Sequence, residues 1–352
     1  MSSLQLALAV LGALVLVAMF AYNSWQARRS GIRRPAPRVE PAVQVEPTLD
    51  LGEGRASAER IEPELDVPPL VAAVPPRRLG PRLDPLVDAI ATLHAETRLS
   101  GENVLAHLPP TRRAGSKPFQ IEGLNEATGE WEAPQPGQTY RQFQAGVLMA
   151  SRTGPLNEIE YSEFVHKVQA FADGLGLAAD FPDMLEVVAQ ARELDQFASQ
   201  HDAQLACRLH ARGAAWSVAY IQQHAARHGF VPGVVPGRLV LPGSEEGAPP
   251  VLILQFDSQA VFAEDPNAAA VRDVTVAFDV PQTPAAEEPF KAWQASAQAL
   301  ALGMEADVVD DAGRALTPEA FAAIGAELDK LYQALEARGL PAGSAAARRL
   351  FS

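Results

Sequence analysis

The first strong pattern along the chain is an almost unbroken apolar run from Leu4 to Tyr22, in which Gln5 is the only strongly polar residue. About 19 helical residues at about 1.5 Å each reach about 28 Å, close to the hydrocarbon thickness of a bilayer. Tyr22 and Trp25 follow at the far end, where amphipathic aromatics favour the interface. No Lys or Arg precedes Leu4, whereas Arg28, Arg29, Arg33, Arg34 and Arg38 follow it. The positive-inside rule therefore predicts a single-pass inner-membrane anchor over 4–22, with residues 1–3 periplasmic and the rest cytoplasmic. A cleaved signal peptide carries its positive charge before the apolar run and ends at small residues, the reverse of these flanks.

Residues 23–82 change character. A basic patch comes first, then prolines recur from Pro35 to Pro81, and aromatics are absent from Gly31 to Arg82. Such a stretch buries too little apolar surface to offset its ordering entropy, and proline favours extended segments. It is expected to be a disordered tether.

Periodic patterning starts near Asp84. Leu86–Ala95 predicts a strand, Leu99–Leu108 a short helix, Phe119–Trp131 a strand or ragged hairpin, and Phe143–Ser151 a strand. Asn157–Leu177 has apolar residues at helical spacing (Ile159, Phe164, Val168, Phe171, Leu175), and Leu185–Phe197 predicts a second helix. The order then recurs. Ala203–Ala211 predicts a strand and Ala215–His228 a helix closed by Gly229. Arg238–Leu241 and Val251–Phe256 follow as strands. Val274, Val276, Phe278 and Val280 alternate with Thr275, Ala277 and Asp279. Glu287–Gly303 and Pro318–Arg338 predict two helices, the second opened by Thr317 as cap and Pro318 at its first position.

Short identities accompany this order. Leu93-His94-Ala95 matches Leu209-His210-Ala211, Leu175-Gly176-Leu177 aligns with Leu302-Gly303-Met304, and Glu193-Leu194-Asp195 matches Glu327-Leu328-Asp329. The expectation is an α+β fold with antiparallel sheets and helices packed on one face. Two tandem copies over 83–200 and 201–340 would follow the anchor and tether, with 341–352 as a tail. One composite domain with a divergent N-terminal extension is the alternative.

The formal net charge is -14, which argues against a nucleic-acid partner, since phosphate binding needs clustered Lys and Arg. The single cysteine, Cys207, allows no intrachain disulfide and reads as a small residue in a strand. Residue patterns that signal chemistry are few. The sequence has no G-x-S-x-G, no H-E-x-x-H and no P-loop. His94 and His210 read as strand-end histidines. His224 and His228 form an i, i+4 pair without an obvious third ligand, and Asp310-Asp311 reads as a turn. No enzyme activity, cofactor or metal is expected.

The layout resembles that of the cell-division protein ZipA family. The closest resemblance runs from about Gln204 to Arg338. It rests on Tyr220-Ile221-Gln222-Gln223 leading to Gly229-Phe230, Pro250-Val251-Leu252, Val274-Thr275-Val276 and Ala295-Ser296-Ala297-Gln298. It ends on Val308-Val309-Asp310-Asp311 and Leu316-Thr317-Pro318. The resemblance implies a split β-α-β domain that binds the C-terminal tail of the tubulin-like protein FtsZ and tethers its filaments to the membrane at the septum. The implied tail-binding residues on the exposed sheet face are Gln204, Ala206, Arg208, Gln255, Asp257, Thr275, Ala277 and Asp279. This face is smaller and more polar than the Met- and Phe-lined groove of the best-known members. A membrane-anchored scaffold of the same fold with a different division or envelope partner stays open, as does homo-oligomerisation.

Overall fold

The computed structural model describes residues 82–245, 247–262 and 270–352. The expected anchor at 4–22 and the tether, Arg82 excepted, lie outside the described residues. No helix among the described residues is long and apolar enough to cross a membrane.

The first half begins with β1 (Asp88–Ser100), in which Ala89, Ala91 and Leu93 are buried while Thr92 and His94 are exposed. It outruns the expected strand, continuing through an irregularity between His94 and Leu99. Helix α1 (Gly101–His107) starts where the Ser100 hydroxyl accepts from the Asn103 N–H at 3.3 Å. Strands β2 (Arg113–Ala114), β3 (Lys117–Asn125), β4 (Trp131–Glu132), β5 (Thr139–Leu148), β6 (Ala150–Ser151) and β7 (Gly154–Pro155) follow. Helix α2 (Glu158–Leu175) opens on a reciprocal cap between Asn157 and Glu160. β8 (Leu177–Asp180) and α3 (Met184–His201) complete the half.

The second half comprises β9 (Gln204–Ala211), α4 (Val218–Ala226), β10 (Val231–Pro232), β11 (Arg238–Leu241), β12 (Leu252–Gln255) and β13 (Asp273–Asp279). After these come α5 (Pro289–Met304), β14 (Ala306–Val309), α6 (Pro318–Ala337) and α7 (Ala345–Leu350). The expected helix from Ala215 begins only at Val218. Trp216 is instead fully buried, pairs its backbone with Val271, and donates its indole N–H to the Met304 carbonyl at 3.0 Å.

The fold is α+β with two antiparallel sheets of six strands each. One runs β2-β3-β5-β1-β8, with β4 against β3; the other runs β10-β11-β12-β13-β9-β14. Their centres have the same construction. Gln120, Gly146 and Ile90 stand side by side on β3, β5 and β1, as Ile253, Ala277 and Ala206 do on β12, β13 and β9. Leu194 and Leu328 are both buried and stand the same number of residues after the helix caps Asp183 and Thr317. The Leu-Gly identity falls out of this register, because Ala95 pairs with Leu177 while Ala211 pairs with Ala306. Gly176, which ends α2 with φ 65°, therefore corresponds to Glu305, which ends α5 with φ 54°, and Gly303 lies inside α5. Glycine adopts that left-handed conformation without the Cβ clash that Glu305 must bear.

In each half helices cover one sheet face. Phe119 and Phe143 meet Phe164 and Phe171 edge-on at 5.7 and 6.0 Å. On the second sheet Trp293 contacts Phe278 and Phe321 and donates to the Val276 carbonyl at 2.8 Å. Residues 341–352, set apart above as a tail, are part of the packing. Ala346, Ala347, Leu350 and Phe351 enter the first half's core together with Leu335 and Leu340.

Polar contacts seal the junction of the halves. Arg349 grips Asp88 through both carboxylate oxygens. Gln282 donates to the Phe351 carbonyl at 2.6 Å. Arg152 pairs with both Asp202 and Asp279.

Candidate functional site

Alternation along β9, β12 and β13 sends Cys207, Leu209, Leu252, Leu254, Val274, Val276 and Phe278 inward. Gln204, Ala206, Arg208, Ile253, Gln255, Thr275, Ala277 and Asp279 are left on the outer face. Cross-strand register arranges that face in rows. Val231, Val240, Ile253, Ala277 and Ala206 lie side by side across five strands. Arg238, Gln255, Thr275 and Arg208 form the adjacent row. Strands about 4.8 Å apart give the apolar row a length of about 19 Å.

Seven of the eight expected face residues are thus brought onto one surface. Asp257 is not, since it lies beyond the end of β12. Its carboxylate caps a short 3-10 turn, Ser258–Ala260, by accepting from the Gln259 N–H at 2.9 Å. Asp279 sits at the border, 2.7 Å from Arg152, and accepts from the Gln204 amide at 3.3 Å. Burial pushes its carboxyl up, against the opposing pull of Arg152.

The apolar residues Val231, Val240 and Ile253 were missing from the expected face, as was Arg238. Period two from Gln255 points to Ile253, so that signal was present in the sequence. The face is consequently less polar than its sequence reading. Val231, on the edge strand, is 46% exposed.

The polar row is loosely held. Arg208 stands 3.8 Å from Asp273 and donates to the Asp311 carbonyl at 3.3 Å. His210 lies 2.8 Å from the same Asp273. Arg238 Nε is buried and has no hydrogen-bond partner among the described residues.

On the first sheet the corresponding surface is covered by the chain's own entry segment. Leu83 is buried over Gly146, so closely that a Cβ there would stand 2.4 Å from its Cδ2. The Leu83 N–H donates to Glu122 at 3.1 Å, and Arg349 donates to the Arg82 carbonyl at 3.3 Å.

Groups capable of chemistry are otherwise engaged. Lys117 is fully buried, and its ammonium donates to Ser151 at 3.0 Å, to Thr153 at 3.1 Å and to the Gly154 carbonyl. Its three N–H groups thus meet three acceptors, on Ser151, Thr153 and Gly154, which with Asp195 and Asp202 line a cleft of about 700 Å³. Burial lowers its pKa. Cys207 is buried, and its thiol is pushed up to about 12 by desolvation. His94 is exposed, and His224 lies against Tyr220 at 4.4 Å between ring centroids. Among the described residues no group of three His, Cys, Asp or Glu side chains could hold a metal ion.

No protein-family model matches this chain, and no curated protein matches it in sequence.

Proposed function

We propose that this protein is a single-pass inner-membrane division protein of ZipA-like construction. In this reading residues 4–22 anchor it, the tether gives reach, and the two halves are tandem copies of a split β-α-β domain. The outer face of the second sheet binds the C-terminal tail of FtsZ and tethers its filaments at the septum. The protein acts as a binding module without cofactor, metal or nucleic acid.

One observation carries this reading. The first sheet's face is covered in cis by Leu83, whereas its counterpart around Ala277 presents the row Val231, Val240, Ile253, Ala277 and Ala206 with no such cover among the described residues. A helical turn advances 5.4 Å and neighbouring strands stand about 4.8 Å apart, so a short amphipathic helix laid along the row meets a new strand at each turn. Single contacts of this kind are weak, and a polymer presenting many tails strengthens them by multivalency. The polar row from Arg238 to Arg208 also favours a second reading, in which a scaffold of this fold holds a different division or envelope protein.

Reconstitution tests the proposal. The full chain in a supported bilayer should recruit fluorescent FtsZ filaments, and FtsZ lacking its C-terminal tail should stay in solution. Equal recruitment of both forms, or of neither by a folded and inserted sample, would overturn it.

A further inference from the structure

We infer that the docking face selects acidic segments, with Arg238 reading a partner carboxylate beside the apolar row. The inference rests on the outer face of the second sheet being a docking surface. It does not depend on the partner being FtsZ.

Register provides the geometry. Arg238 and Val240 are two residues apart on β11 and share its outer face, so the Arg238 backbone stands about 7 Å along the strand from the apolar row. Arg208 closes the same polar row three strands away, about 14 Å across the sheet, with the uncharged Gln255 and Thr275 between them. No acidic side chain stands in that row.

The other face cations already have carboxylates. Arg152 is taken by Asp202 and Asp279, Arg212 by Asp307, and Arg208 in part by Asp273. Arg238 enters no ion pair found among the described residues, and its Nε is buried without a hydrogen-bond partner. A planar guanidinium offers five donors suited to a carboxylate, and such charge-assisted bonds strengthen as water is excluded. In a chain of net charge -14, an arginine with no ion pair among the described residues, beside an apolar row, favours acidic partners locally while the remaining surface repels them.

The first sheet displays the opposite sign. Its face carries Asp88 and Glu122, and the segment covering it is Arg82-Leu83, locked by Arg349. There Arg349 and the Leu83 backbone N–H meet the acidic groups, while the Arg82 guanidinium pairs with Glu130. On the second sheet the uncharged Gln255 stands where the first carries Glu122, beside Arg238, so the occupant is an apolar segment bearing Asp or Glu one helical turn from its Leu, Ile or Phe anchors.

The test is selection from a random displayed-peptide library on the full chain, with the Ala277→Asp chain to discard binders elsewhere. The peptides retained should combine apolar anchors with Asp or Glu. They should bind Arg238→Gln about tenfold more weakly than wild type, with Arg238→Lys between the two. Affinity should also fall as salt rises. Retained peptides that are neutral or basic, or that bind Arg238→Gln undiminished, would overturn the inference and leave the docking face standing. A selection yielding nothing sensitive to Ala277→Asp would overturn both. Acidic binders together with an inert FtsZ tail would support the inference and redirect the choice of partner.

Discussion

Replacing Arg349 with Met should destabilise the molecule by about 3–5 kcal/mol, because it strands a buried charge. The Asp88 side chain is 0% exposed and Arg349 is 14% exposed. Both carboxylate oxygens are held by the guanidinium, and one also accepts from the Asp84 N–H at 2.9 Å. Removing the cation leaves only that backbone donor. The helix carrying Arg349 keeps its apolar contacts through Leu350 and Phe351, so the loss is chiefly electrostatic. Against a total stability of about 5–15 kcal/mol this is a large fraction. With a urea slope of about 3 kcal/mol/M, the midpoint should fall by about 1–1.7 M. The double variant Asp88→Asn with Arg349→Met should recover at least half of the loss, since no net charge then remains buried. Protease susceptibility near Leu83 should rise in the single variant, because Arg349 also holds the Arg82 carbonyl. A midpoint unchanged within about 0.2 M, or about 0.5 kcal/mol, or a double variant worse than the sum of the singles, would refute the reasoning.

Two further outcomes follow from the buried groups. Burial lowers the Lys117 pKa, so near the top of its titration the folded chain binds fewer protons than the unfolded one. Stability should therefore rise with pH up to the ordinary lysine value of 10.5 and level off there, relative to Lys117→Met. Parallel urea stability curves for the two chains across alkaline pH would contradict this. Cys207, with its thiol raised to about 12 inside the second core, should resist a thiol-specific reagent in the native state and react on denaturation. Rapid native labelling would show that the strand opens or that the thiol faces solvent.

The elements most legible in the sequence were those with a long, regular pattern. Helices α2, α5 and α6 and strand β13 have enough turns or alternations to identify themselves, although Ile159, counted on the α2 stripe, is 81% exposed. The α+β class followed from that, while the antiparallel pairing was expected with the resemblance to the ZipA family. Legibility failed where tertiary contacts overrode local pattern. Trp216 fits a helical stripe, yet burial against Met304 and pairing with Val271 hold it in an extended segment. Glu305 does the work of a glycine at the end of α5, so the apparent repeat at Gly176 and Gly303 misled by two residues. A strand as short as β11 holds too few alternations to show a face, which hid Val240 and Arg238, whereas Ile253 could have been read from Gln255 by period two. The roles of Leu83 and of Leu350 with Phe351 depend on partners far along the chain, which no local window contains.

The central claim is that the outer face of the second sheet receives the tail of FtsZ. Its most direct test is a fluorescence titration of a labelled FtsZ C-terminal tail peptide with the full chain and with Ala277→Asp. Saturable binding at micromolar protein, weakened at least tenfold by the Asp, is the predicted result. Binding indifferent to that substitution, or none from a demonstrably folded sample at high micromolar concentration, would contradict it.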